Sequence, residues 1–554
     1  MAQNQQGNQS LGLDYVGKGF NFLDSKGFNP TADKFNTLAS ETTKQTNLSD
    51  DKEFIISEWS KVLVHSQTDS TFETTHSVHE AEKAYSASLS IEGSYGAYSG
   101  SLEASFSEDV KTASVTNITR VSRKLAGYEV SIDSALFKSK LTPEFKNALA
   151  SNDAKTLFSN YGTHYIASAL YGGSINAVYS EKIVSNTVDV NFETKVRARY
   201  SAIAEVSATG SFGTTSKTYD QSDNIKEHFV VIGGDFNRQQ SVAQENPRLS
   251  DVTAWADSVA TNPTFACTNS LEEIWKLADT PKQRDFLEKE FYKLLAIQSL
   301  KQPQLFKLVG PYQSNLVSMS LNVPDGYKIV SGGAKVDWDG PGFLLTSSYP
   351  NNNKQWFASA KAHKYPNNGK LTISVLAIFD PEDNITVKIF KDKGTLSSSP
   401  IEAIDVKDDF HLVGGGANIY SEGPGNLLIS SYPAQKGNGT GLWEAQGKAH
   451  IFPSSATVTS YAIGLKTDLV KITTKVFEPA VSQISESPSV EASPETNYTL
   501  IGGGAKIVLF NPGILLTASL TLKGKSWFAS GKDHGESCVT NISVYAIGMK
   551  VEDQ

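Results

Sequence analysis

The chain has 554 residues, too many for one compact core and enough for two or three domains. Hydrophobic residues at 39% and aromatics at 10% support folded domains, while a net charge of -9 excludes a nucleic-acid binder that works by counterion release. Two cysteines far apart in sequence, Cys267 and Cys538, exclude a disulfide framework and a cysteine-based zinc site.

Met1-Ala2-Gln3-Asn4-Gln5 lacks the basic and apolar regions of a secretory signal, which predicts a soluble protein released by a non-classical route. No apolar run approaches the about 20 residues of a membrane-spanning helix, so any crossing has to use strands. From Tyr85 the chain alternates, with Tyr85, Leu89, Ile91 and Tyr95 on one face and serines with Glu92 on the other. The register then flips, so that Tyr98, Leu102 and Phe106 continue the apolar face and Glu103 the polar one. A two-residue turn at Gly96-Ala97 explains the flip by pairing Tyr95 with Tyr98 and Ile91 with Leu102. Each arm then has roughly the 9–11 residues of a tilted transmembrane strand.

Tyr161-Gly162-Thr163-His164-Tyr165 follows, and after six intervening residues comes Gly172-Gly173. A second alternating segment runs from Phe192 to Phe212. Phe192, Val196, Tyr200, Val206 and Phe212 share one parity, and Glu193, Lys195, Arg197, Arg199 and Glu205 the other. Ile203, an apolar exception, is expected at or near the tip of an odd-length loop. Charges on one face and apolar groups on the other suit a barrel wall between lumen and lipid. The same period also suits an amphipathic strand in a soluble sheet. Val230 to Asp235 reads as a strand, in which Gly233-Gly234 relieves crowding where a sheet bends. A helix from about Pro281 to Leu300 is expected to bury Phe286, Phe291, Leu294 and Leu295.

The last 250 or so residues repeat three times, over about 305–380, 400–467 and 495–551. Gly332-Gly333-Ala334, Gly415-Gly416-Ala417 and Gly503-Gly504-Ala505 open the blocks. Each then has a Trp with Lys five and His seven positions later: Trp356/Lys361/His363, Trp443/Lys448/His450 and Trp527/Lys532/His534. Each block reads as a small sheet of its own, and three sheets would enclose a shared core; a β-trefoil is the competing threefold fold. The repeated residues are either structural, with Trp filling each sheet's core, or three equivalent ligand sites. The turns before each Trp, Tyr349 to Lys354, Ala434 to Gly439 and Leu522 to Lys525, are candidate contacts for a sugar or a headgroup. Pro479 to Pro494, rich in Ser, Glu and Pro, reads as an exposed connection, and Asp337-Trp338-Asp339 is a candidate cation loop.

The Tyr161–Gly173 signature, the flanking alternating segments and a glycine-aromatic opening at Gly12 to Phe20 resemble the membrane-attack-complex/perforin (MACPF) family over about residues 1 to 300. The threefold repeat is similar to the C-terminal β-prism of some bacterial insecticidal members. The resemblance implies an α+β fold: a bent central antiparallel sheet flanked by helical clusters over 1–300, then an all-β pseudo-threefold β-prism over 301–554. It implies a pore-forming, cytolytic and insecticidal toxin, in which the flanking segments are helical in the soluble form and refold into hairpins. Its partners would be copies of itself in a ring and a target-cell membrane lipid, glycan or protein receptor. The alternative is a non-lytic, lectin-like or adhesive protein on the same scaffold. No Gly-x-Ser-x-Gly elbow, His-Glu-x-x-His pair or phosphate loop occurs, so neither an enzyme nor a cofactor is expected, and His164 is expected to be structural.

Overall fold

The computed structural model describes residues 9–10, 12–23, 36–47, 53–64, 68–88, 110, 116–182, 192, 196, 226–242, 249–261, 264–407, 409–421, 425–435, 441–508, 513–535 and 537–552. The chain forms two compact units, the first ending at Phe291 and the second running from Tyr292 to Gln554.

The first unit is built on a curled antiparallel sheet. Its two long strands, β3 (Thr116–Ile132) and β4 (His164–Lys182), lie side by side over most of their length. At one end they are flanked by β1 (Ser60–Val64) and β6 (Thr264–Glu273). At the other end β2 (Thr68–Thr75) and β5 (Lys226–Ile232) take over the two edges. The change-over falls at Gly172-Gly173: β6 begins opposite Gly172, and β5 ends opposite Ser174. A bulge between Ala126 and Tyr128 in β3 faces the same point and bends the sheet there. The strand expected over Val230 to Asp235 stops at Ile232, because Gly233 and Gly234 adopt left-handed φ values of 85° and 73° and turn the chain away.

Helices cover this sheet. α1 (Val78–Ser88) follows β2, and α2 (Ala154–Tyr161) leads into β4 and is closed by Gly162 at φ 80°. α3 (Leu249–Thr261) buries Val252, Trp255 and Val259, three and four residues apart on one face. α4 (Pro281–Lys301) begins in the first unit and ends in the second, and its buried stripe is Leu287, Phe291 and Leu295. Phe286 and Leu294, expected on that face, are only half-buried; Leu287 replaces Phe286 because a four-residue step keeps the stripe aligned.

The second unit is a pseudo-threefold β-prism, but no repeat forms a sheet by itself. Tyr327–Trp338 and Asn368–Phe379 of the first repeat join Ile514–Thr521 and Trp527–Asp533 of the third. Phe343–Asn352 and Gln355–Ala362 of the first join His411–Ser421 and Ala456–Lys466 of the second. Asn426–Gln435 and Gly441–Ala449 of the second join Thr499–Ile507 and Ile542–Val551 of the third. The reason lies in the second glycine of each motif. A Cβ at Gly333, Gly416 or Gly504 would fall 2.0, 2.5 and 2.5 Å from the carbonyl oxygens of Ser519, Ser348 and Ser431 in the adjoining repeat. Only glycine lets the backbones cross so closely, and the crossing hands each half-sheet to its neighbour. The sheets meet on Leu344, Leu427, Ile429 and Leu515, all buried. Pro479 to Pro494 is not a plain connection: Ala480–Val481 pairs with Ser543 and Val544, and Ser489–Ala492 forms an edge strand on Trp527–Ser530.

Candidate functional site

The signature builds the base of the first unit. Gly162 is required twice over: its φ is left-handed, and a Cβ there would lie 2.6 Å from the Phe20 nitrogen. Thr163 Oγ1 accepts from the Phe22 backbone N–H at 2.9 Å and donates to the Phe20 carbonyl at 3.2 Å, tying the N-terminal segment to β4. His164 Nδ1 lies 3.0 Å from Thr163 Oγ1, and the ring is enclosed by Phe22, Trp275 and Phe291. Burial first, and Lys276 second, hold its pKa down at about 3, so the imidazole is neutral at ordinary pH. Tyr161 packs on Phe145, and the Tyr165 ring stacks on Phe137.

The bend is a second cluster. A Cβ on Gly173 would sit 2.6 Å from Val259 and 2.8 Å from Trp255; one on Gly233 would sit 2.2 Å from the Gly172 carbonyl oxygen. Trp255 Nε1 donates to the Gly233 carbonyl at 2.7 Å, and Gln239 Nε2 donates to the same oxygen at 3.0 Å. Two helices, α3 through Trp255 and Phe236–Val242 through Gln239, therefore hold the corner where both sheet edges change. Sequence reading named the glycines but missed the grip of Trp255, which its spacing with Val252 and Val259 would have revealed.

Beyond the corner the two faces of the sheet are covered differently. On one face Ile118 and Val178 pack with Val78, Ala81 and Val110, and partly with Tyr85. Tyr85 lies in α1, with the Arg120 guanidinium 5.1 Å from its ring centre. On the other face Val121, Ile175 and Tyr179 pack with Phe192, Val196 and Trp255. Phe192 and Val196 are helical and fully buried, four residues apart. Leu89, Ile91, Tyr95, Tyr98, Leu102, Phe106, Tyr200, Val206 and Phe212 lie outside the described residues, as do Glu92, Glu103, Glu193, Lys195, Arg197, Arg199 and Glu205. Between the two covered faces the sheet carries buried polar groups: Ser122 bonds Asn176 at 2.8 Å, and Thr116 bonds the Glu181 carbonyl at 2.8 Å.

In the prism each repeated Trp is a core residue. Trp356, Trp443 and Trp527 are buried, each lies on the first glycine of its own repeat, and each indole N–H donates to a serine, Ser348, Ser431 or Ser519, at 3.0 Å. The histidines gather at the other end of the strands. The rings of His363, His450 and His534 are buried with centres 5.4 to 6.2 Å apart. His450 Nε2 bonds the His534 carbonyl, and His534 Nε2 bonds the His363 carbonyl. Burial is the main cause holding His363 down at about 4, and it lowers His534 as well. Lys361 is also lowered by burial, Lys448 is buried, and Lys532 lies 5.8 Å from the Trp338 ring centre. The residue after each histidine, Lys364, Ile451 or Gly535, has a left-handed φ of 60° to 72°. The expected cation loop is otherwise engaged: Asp337 pairs with Lys335 at 2.8 Å, and Asp339 accepts from Asn368. Among the described residues no group of three His, Cys, Asp or Glu is disposed to hold a metal.

This architecture is that of a pore-forming family scaffold followed by a β-prism. Residues 6–279 match the MAC/Perforin domain model, so the chain carries a domain of the MACPF family. No curated protein matches the sequence. Among solved structures, GNIP1Aa from Chromobacterium piscinae is similar at 15% identity and TM-score 0.43, covering 72% of this chain and 77% of that one. A protein described as a cell invasion protein with a MAC/Perforin domain, from Bacteroides thetaiotaomicron, is similar at 12% identity and TM-score 0.35, covering 59% and 68%. Vertebrate Astrotactin-2, described as a perforin-like membrane protein, follows at 10% identity and TM-score 0.32, covering 67% and 68%.

Proposed function

We propose that the protein is a cytolytic pore former. It docks on a target membrane through its second unit, assembles into a ring and inserts two β-hairpins per subunit into a shared transmembrane barrel. The observation that carries this reading is the register of the curled sheet. β2 and β3 pair Thr75 with Ile118, and no shift interrupts that ladder. Continued unchanged, it would pair Tyr85 with Glu108, Ile91 with Leu102 and Tyr95 with Tyr98, leaving Gly96-Ala97 as the turn that sequence alternation selects independently. β4 and β5 pair Ser180 with Lys226. The same continuation would pair Val196 with Gly210 and Tyr200 with Val206 and centre on Ile203, the residue expected at the tip. Each segment therefore joins two strands already in register to extend. Extension would turn Phe192 and Val196 from buried helix, and Tyr85 from a partly buried one, toward lipid and the charged parity toward a wet lumen. Ring closure would satisfy the edges of the extended strands, which a lone hairpin in hydrocarbon cannot do.

The test is dye release from lipid vesicles by a Tyr85→Cys/Arg120→Cys variant, with Cys267 and Cys538 replaced by Ser to leave a single cysteine pair. Oxidation tethers α1 to β3; release should fall about tenfold or more and return on reduction. Undiminished release with the disulfide verified would overturn the hairpin mechanism. Wild-type binding without release would leave the non-lytic, adhesive alternative.

A further inference from the structure

The second unit is lopsided in its exposed apolar surface. Among the described residues, the large hydrophobic side chains exposed in this unit gather toward the histidine triangle, except Ile401, which pairs with Gln446 midway along its sheet. Tyr312, Tyr365, Leu396, Tyr420, Ile484 and Val539 are 48% to 68% exposed. Their positions follow from the ladders. Tyr312 precedes Gln313, which pairs with Gly369; Tyr420 pairs with Thr457; Leu396 precedes the Ser397–Ala456 bridge. Ile484 and Val539 flank the Ser485–Thr540 bridge, and Tyr365 lies two residues past His363. The opposite end, where the strands carry the buried Trp residues, exposes none of this kind among the described residues.

Three lysines share the rim. Lys364, Lys370 and Lys393 place their ammonium groups 5.2, 5.1 and 6.0 Å from the ring centres of Tyr365, Tyr312 and Tyr420. None of the three is ion-paired among the described residues, while nearby Asp337 is neutralised by Lys335 and Asp339 is held by Asn368. The rim therefore combines amphipathic rings, aliphatic side chains and lysines that lie outside ion pairs. Tyrosine and lysine with this geometry settle at a water–lipid boundary, with the ring in the interface and the ammonium at the phosphates. A sugar would use the aromatic faces but gain nothing from Leu396, Ile484 or Val539. A peptide would need a groove, whereas these residues are spread round the pseudo-threefold axis at one end, an arrangement that fits a flat partner.

We infer that the histidine end of the prism is the membrane-docking face, and that it takes a phospholipid bilayer bearing anionic headgroups. The exposed Tyr, Leu, Ile and Val side chains enter the interface, and Lys364, Lys370 and Lys393 meet lipid phosphates. This rests on the docking role proposed above for the second unit and deepens it. In the first of the turns before each Trp, Lys354 is paired with Asp325 at 2.8 Å.

The experiment is co-sedimentation of the full chain with phosphatidylcholine vesicles, with and without phosphatidylserine, and dye release read in the same samples. Tyr312→Ser/Tyr365→Ser/Tyr420→Ser should lower partitioning about tenfold or more on both compositions. Lys364→Gln/Lys370→Gln/Lys393→Gln should lower it about tenfold or more only where phosphatidylserine is present. Lys523→Gln/Lys525→Gln, at the other end, should bind like wild type. Unchanged circular dichroism and melting establish that each variant is folded; if a triple variant is not, the single Tyr420→Ser and Lys393→Gln variants replace it. Wild-type failure to bind either vesicle, or wild-type-like binding by folded tyrosine and lysine variants, overturns the assignment. Binding through these residues without dye release would keep the docking face and remove the pore; release that survives their loss would do the reverse.

Discussion

Both units are organised by paired glycines, and they differ in what joins the strands there. In the prism, Gly333, Gly416 and Gly504 lie against the backbone of an adjoining repeat, so the strands are pinned by atoms that cannot move aside. At the bend of the curled sheet Gly233 also lies against backbone, at the Gly172 carbonyl, but its partner Gly173 lies chiefly against the side chains of Val259 and Trp255 on α3. The prism is thus a closed frame, and the bend is a latch. The difference separates a unit built to keep its shape from one whose segments are proposed to leave their places.

Substitution at these glycines offers the largest contrast. Gly333→Ala places a methyl group 2.0 Å from the Ser519 carbonyl oxygen and 2.7 Å from the Leu520 Cα, and should destabilise the second unit by more than about 4 kcal/mol. Gly173→Ala meets only side-chain ends on that side of the bend, apart from the Ile232 carbonyl at 3.1 Å. It should cost about 1–3 kcal/mol and speed dye release by loosening α3. Urea unfolding of each variant, followed by the two units' tryptophans, checks both. Equal losses would erase the distinction between frame and latch.

Acid should act on both units through buried neutral histidines. His363 and His164 have pKa values lowered from 6.5 to about 4 and about 3. A histidine neutral in the fold but protonated when unfolded stabilises fully above pH 6.5. That stability is lost as pH falls toward 4 for His363 and toward 3 for His164, and the loss then levels off. Melting temperatures taken between pH 7 and 4 should fall less steeply for His363→Gln than for wild type. Parallel slopes would show that His363 is not held neutral.

Trp255→Phe is gentler, since the ring remains and one hydrogen bond is lost. Gln239 still donates to the Gly233 carbonyl, so the cost should be about 1 kcal/mol, with release faster than wild type. Slower release would mean that this indole assists the opening rather than restraining it.

Much of this was legible because it is periodic. Alternation from Tyr85 to Phe106 selected Gly96-Ala97 as a turn, and the β2–β3 ladder later extrapolated to the same two residues. The three Trp–Lys–His blocks revealed threefold symmetry, and the glycine pairs marked close approaches. Sheet composition was not legible, because the pairing of Ser348 with Ala417 joins strands of different repeats and leaves no local pattern. The docking rim was hidden for a related reason: Tyr312, Leu396 and Ile484 are isolated in sequence and converge only when three sheets bring their ends together. Leu287 was missed in α4 because Phe286 beside it offered a larger apolar side chain, while the helical step favoured its neighbour.

The smallest expected effect tests the latch after it has opened. In the proposed barrel Glu92 and Glu103 of one hairpin share the lumen face with Lys195, Arg197 and Arg199 of the next. Water fills that lumen, so each pair contributes about 0–1 kcal/mol and weakens with salt. Lys195→Glu/Arg197→Glu should leave docking untouched, slow ring assembly a few-fold at low ionic strength and shift the pore's ion preference toward cations. Raising salt should shrink the assembly defect, since screening weakens the new repulsion. Vesicle binding, release kinetics and single-channel reversal potentials separate these stages. An unchanged reversal potential would place the charged parity outside the lumen and overturn the facing of the second hairpin, while a defect in docking would mean that the segment acts before it unfurls.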